Sequence, residues 1–128
     1  MKIFQTSLLD CLIIKPDIYR DSRGFFLETF RANQFAQDLG IKDAFVQDNH
    51  SHSSKGVFRG LHFQLNNPQG KLVRASKGTV LDVAVDLRVG SKTFGKSEIF
   101  EISDQNFHQI WVPPGFGHGF LVLSEFAD

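Results

Sequence analysis

Thr79-Val80-Leu81-Asp82-Val83-Ala84-Val85-Asp86-Leu87 alternates along its whole length. In an extended chain successive side chains point to opposite faces, so Leu81, Val83, Val85 and Leu87 share one side while Val80, Asp82, Ala84 and Asp86 share the other. The spacing predicts a strand with one strongly apolar side and a second side carrying two carboxylates.

On either side of this stretch the apolar residues fall in short runs separated by Gly, Pro, Asn, Asp and Ser, the pattern of many short strands. Candidate strands are 12–14, 25–30, 45–47, 57–64, 72–75, 79–87, 98–102, 109–112 and 119–123. Nine strands in 128 residues imply an all-β sandwich or barrel. One short helix is expected over 31–39, with Phe30, Phe35 and Leu39 near helical spacing and Gly40 as its C-terminal stop. No repeat, low-complexity tract or linker interrupts the chain, so residues 1–128 read as a single domain.

Composition narrows the function. Fourteen Lys plus Arg balance fourteen Asp plus Glu, so no global basic field points to nucleic acid or an anionic membrane. Any anion must be held by local groups. The single cysteine, Cys11, excludes an internal disulfide, fits a reducing cytoplasm, and reads as a buried small hydrophobe rather than a nucleophile. The N-terminal segment lacks a long apolar run and a cleavage site, and no stretch approaches the ~20 apolar residues of a membrane span. A soluble, cytoplasmic protein is expected. Of the fourteen phenylalanines, Phe25, Phe26 and Phe30 cannot all face a core from one strand, so some rings should meet a partner chain or a nucleotide base.

The polar residues concentrate in Gln47-Asp48-Asn49-His50-Ser51-His52-Ser53, Arg59-Gly60-Leu61-His62-Phe63-Gln64 and Gly70-Lys71-Leu72-Val73-Arg74. Regular alternation through 57–64 would place His62 and Gln64 on one face and Arg59 on the other. A histidine in a mostly apolar cavity suits a general base, since its ordinary pKa is about 6.5. A hydrogen-bonded structural histidine is the competing reading, weakened by the surrounding Arg59, Gln64 and Lys71. His50, His52 and His108 lack such company and read as surface or loop residues. Trp111 to Phe120, rich in Pro and Gly, delivers His118 to the start of a strand.

Together with Arg23-Gly24-Phe25-Phe26 and Glu28, with Asp82 to Arg88, and with Pro113 to Leu123, these segments resemble the dTDP-4-dehydrorhamnose 3,5-epimerase family in order and spacing. The resemblance implies a cupin-like jelly roll, a homodimer with strand exchange, and no metal or organic cofactor. It implies a dTDP-linked 4-keto-6-deoxyhexose as substrate, with His62 as the catalytic base and Lys71 beside the developing oxyanion. Arg23 and Arg59 would hold the diphosphate. Glu28, Gln47, Asp48 and Asn49 would line the nucleotide and sugar path, His118 would contact substrate, and Phe26 or Phe25 would stack on thymine.

The family's pattern continues past Asp128 and there supplies a tyrosine proton donor and an aspartate that pairs with the base. Tyr19 lies in another motif and cannot be carried over as that donor. Loss of a general acid removes a factor of about 10²–10⁴, so impaired activity is one expectation and a non-catalytic nucleotide-sugar-binding cupin is the alternative. Asp82 or Asp86 could orient His62, but a solvated or turn-bonded role suits both better. A metal-dependent cupin is the remaining competitor, with only His62 and His118 as plausible ligands.

Overall fold

The computed structural model describes residues 1–41 and 44–128. In chain order the elements are β1 (Lys2–Gln5), β2 (Leu12–Lys15), β3 (Ile18–Asp21), β4 (Gly24–Leu27) and α1 (Ala32–Leu39), then β5 (Ser53–Ser54), β6 (Phe58–His62), β7 (Lys71–Arg74) and β8 (Thr79–Asp86). β9 (Ser97–Ser103), β10 (Gln109–Val112), β11 (Phe116–Val122) and β12 (Phe126–Ala127) follow. The all-β class with one short helix is borne out. No helix among the described residues is long and apolar enough to cross a membrane. The chain forms two compact units, residues 1–15 with 51–128, and residues 16–50.

In the larger unit two four-stranded antiparallel sheets, ordered β1-β2-β10-β7 and β6-β11-β8-β9, enclose the core. Ile110 and Val112 from the first sheet meet Val80, Ala84, Phe100, Ile102, Phe116 and Val122 from the second. Strands 109–112 and 79–87 form almost as the sequence predicts. β1 and the short pair β5–β12 escape the sequence reading because they are too short for an alternating pattern.

One expectation is reversed in an instructive way. Along β8 the buried side is the one with the carboxylates: Val80, Asp82, Ala84 and Asp86 are buried, whereas Leu81, Val83 and Val85 are only half-buried. Neither aspartate is solvated. Each meets a specific polar partner, Asp82 the His118 ring and Asp86 the Arg88 guanidinium, which apolar patterning cannot reveal.

In the smaller unit β3 and β4 form a hairpin that pairs Tyr19 with Phe26 and Arg20 with Phe25. Adjacent rings therefore face opposite ways, as alternation requires, and Tyr19, Phe25 and Phe26 are all exposed. Helix α1 ends at Gly40, whose φ of 67° is the left-handed conformation expected of a C-terminal glycine. Its Phe35 is buried and lies 5.1 Å, centroid to centroid, from the Phe30 ring, which in turn meets Phe45 edge-on at 5.2 Å. Residues 45–47 form no strand. Phe45 is engaged as an aromatic contact instead.

Candidate active site

His62 closes β6 and stands directly opposite His118 of β11, which is itself opposite Ala84 of β8. Residues facing each other across an antiparallel pair point to the same side, so both histidines belong to the face that carries Asp82 and the core residue Ala84. On the facing sheet Lys71 pairs with Val112, and Val73 with Ile110. Val73, Ile110 and Val112 pack into the core, so Lys71, one pleat along from Val73, turns the same way. Partial burial holds the Lys71 ammonium below its ordinary pKa, because removal from water disfavours the charged form.

Strict alternation fails within β6. Arg59 pairs with Phe120, but His62 pairs with His118, so the strand carries one residue more than its partner. This bulge brings Arg59 and His62 onto the same face, where the sequence reading separated them. Gln64 lies beyond the strand and does not share the pairing. Gly60 and Gly119 make the bulge possible. Gly60 has φ of 132°, and a Cβ there would stand 2.7 Å from the Gly119 Cα.

His118 is buried, and its Nε2 lies 2.8 Å from Oδ2 of Asp82, two residues along the neighbouring strand from its direct partner. The carboxylate–histidine pair is thus Asp82 with His118, not an aspartate of β8 with His62. No sequence signal separated these choices, because the pairing depends on strand register. Asp86 turns out to be turn-bonded: it accepts hydrogen bonds from the Arg88 guanidinium at 2.9 Å and from Thr93 Oγ1 at 2.6 Å. Arg59 donates from Nε to the buried Ser53 hydroxyl at 2.9 Å. His52 and His108 lie outside the paired sheets' interior: His52 stacks on Phe126 and contacts Asp128, while His108 precedes β10.

The smaller unit holds the remaining candidates. Arg23 is exposed and bonds Asp21 through Nε at 3.1 Å and Nη2 at 2.6 Å, and these bonds depress the Asp21 carboxyl. Phe26 is 69% exposed, leaving its ring face available. Glu28 pairs with Arg31, and the Gln47 amide donates to the Asn49 side-chain oxygen at 2.9 Å. Asp48 is exposed between them.

The model of dTDP-4-dehydrorhamnose 3,5-epimerase matches residues 5–128. The chain belongs to that family. A Neisseria gonorrhoeae dTDP-4-dehydrorhamnose 3,5-epimerase is 53% identical over 128 residues, covering 100% of this chain and 39% of the relative. A Pseudomonas aeruginosa enzyme of the same name is 49% identical, with 100% of this chain and 71% of the relative covered. A crystal structure of the Legionella pneumophila dTDP-6-deoxy-D-glucose-3,5-epimerase, in complex with dTDP-4-keto-L-rhamnose, superposes with a TM-score of 0.96 at 52% identity. That match spans 98% of this chain and 67% of the other. The chain therefore has the family's cupin-type jelly roll, and it spans from about two fifths to about 71% of these relatives' lengths.

Proposed function

We propose that this protein inverts C3 and C5 of dTDP-4-dehydro-6-deoxy-D-glucose to give dTDP-4-dehydro-L-rhamnose, a step of dTDP-L-rhamnose biosynthesis. The observation that carries this reading is the pairing of His62 with His118 across β6 and β11, in a chain of this family. His62 removes a proton from the carbon beside the C4 ketone. The electron pair moves into the ring bond, and charge accumulates on the C4 oxygen. An ammonium in a water-poor cavity stabilises such an enolate more than it stabilises the neutral ketone, which is the role of Lys71. Return of a proton to the opposite face inverts the centre.

Arg59 and Arg23 suit the diphosphate, since a guanidinium offers paired donors to phosphate oxygens. Phe26 suits the base, while Glu28, Gln47, Asp48 and Asn49 line the path and His118 contacts the sugar. The reaction as drawn needs no cofactor. Among the described residues no group of three or more His, Cys, Asp or Glu side chains is arranged to hold a metal ion.

A homodimer, with exchanged strands and with the Arg23 to Glu28 segment acting in the neighbour's site, completes the reading. The outer face of the β6-β11-β8-β9 sheet supports it, with Leu81, Val83 and Val85 half-buried, Phe58 54% exposed and Ile99 62% exposed. Two such faces stack as sheets do. A residence in the cytoplasm, where nucleotide sugars are made, belongs to the same proposal.

The test is product configuration. Incubation with dTDP-4-dehydro-6-deoxy-D-glucose should yield ring coupling constants of the L-lyxo sugar, with none formed by His62→Ala. Unchanged D-configured substrate, despite saturable binding, would reject the epimerase in favour of a binding protein.

A further inference from the structure

Asp82 and Asp86 lie on the same face of the same strand, and neither exposes any surface. Their surroundings are otherwise unlike. Asp86 accepts from the Arg88 backbone and guanidinium, from Ser91 Oγ and from Thr93 Oγ1. Asp82 has one hydrogen bond, to His118 Nε2, and its Oδ1 is buried without a partner among the described residues. The groups that face it are Cys11, Glu98 and Phe100 of β9, and His118 with Phe120 of β11; beyond β11 lie His62 and Arg59, and Lys71 faces inward from the other sheet.

A carboxylate buried with one hydrogen bond is a poor stabiliser, because desolvation outweighs what a single partner returns. Asp86 is built as a structural clasp. Asp82 is not, and its one side-chain hydrogen bond goes to an imidazole. An ionised carboxylate only accepts hydrogen bonds, so opposite such a group the meeting His118 nitrogen is the one that carries the proton. The other nitrogen, Nδ1, makes no hydrogen bond with the described residues.

We infer that Asp82 is a positioning residue for His118: it fixes the ring with its proton on Nε2, so that Nδ1 is presented between the sheets as an acceptor for a ligand hydroxyl. The identity of that ligand as a sugar rests on the epimerase reading. The state of the imidazole does not.

The experiment is long-range proton–nitrogen NMR of ¹⁵N-labelled protein, alongside kinetics of Asp82→Asn. In the wild type, His118 should show a protonated Nε2 and an unprotonated Nδ1. An asparagine offers N–H as well as C=O, so the variant should populate the Nδ1–H tautomer. Hydrogen exchange at saturating substrate should then fall about tenfold or more, as loss of a tautomer-fixing carboxylate does elsewhere. Affinity for dTDP and the thermal midpoint should hold or rise, whereas a purely structural Asp82 would lower the midpoint. Protonation of Nδ1 in the wild type, alone or together with Nε2, overturns the assignment, as does an Asn variant with wild-type tautomer or rate. If the wild type exchanges no substrate hydrogen, the epimerase reading fails while the nitrogen pattern still decides the role of Asp82.

Discussion

Gly60 and Gly119 meet backbone to backbone across β6 and β11: a Cβ on Gly60 would stand 2.7 Å from the Gly119 Cα, and one on Gly119 would stand 2.7 Å from the Arg59 carbonyl oxygen. This contact seats the bulge that turns Arg59 and His62 to the same face. Gly60→Ala should therefore cost about 1–3 kcal/mol by overpacking, with a further penalty from its positive φ. Urea unfolding of the variant checks this. A stability within about 0.5 kcal/mol of wild type would show that the strands separate without penalty.

Asp86 and Arg88 form the clasp at the end of β8. Arg88 also reaches Asp10 at 2.8 Å and the Leu9 carbonyl oxygen at 2.8 Å, and its guanidinium covers the Phe116 ring at 4.8 Å. Hydrogen bonds from Arg88 hold the Asp86 carboxyl well below the usual carboxylate range. A depressed folded pKa gives stability that is complete above the ordinary value of 3.8 and lost as pH falls through the folded one. Asp86→Asn should cost about 3–5 kcal/mol at neutral pH by leaving Arg88 without its main partner, and should flatten the acid slope of stability. Denaturation series at neutral and acid pH read both effects.

Much of this fold is visible in the residues themselves. β8 and β10 announce themselves by alternation or by an unbroken apolar run, and the stop of α1 by Gly40. The candidate residues stand out because Arg59-Gly60-Leu61-His62 and Gly117-His118-Gly119 set ionisable groups among glycines, two of which, Gly60 and Gly119, meet backbone to backbone. What alternation cannot supply is register. The extra residue in β6 and the diagonal step from His118 to Asp82 are relations between strands distant in sequence, so alternation alone sets Gln64 rather than Arg59 beside His62 and leaves the histidine partner of Asp82 undetermined. Phe45-Val46-Gln47 resembles a strand by composition, but the described residues around it supply no ladder.

Cys11 is a core residue with no exposed surface, and burial pushes its thiol up to about 12. The thiolate is the reactive form, so the native protein should resist a thiol reagent at pH ~8 and react with one equivalent once unfolded. Prompt labelling of the native state would contradict the placement of Cys11 in the core.

Lys71 combines a stability cost with the chemical role proposed for it. Its lowered folded pKa means that the unfolded chain binds more protons, so this group's contribution to stability improves as pH rises from the folded value towards 10.5. Lys71→Met should remove that slope and leave the thermal midpoint at or above wild type, yet slow turnover about 10²–10³-fold if the ammonium meets the enolate oxygen. Equal turnover would exclude Lys71 from the chemistry.

The central claim is that His62 removes a proton beside the C4 ketone. Proton NMR of dTDP-4-dehydro-6-deoxy-D-glucose in D₂O, with wild type and with His62→Ala, tests it most directly. Loss of both the C3 and the C5 signals with wild type, and their persistence with the variant, is the predicted result. Persistence with wild type in spite of measured binding, or equal loss with His62→Ala, would contradict it.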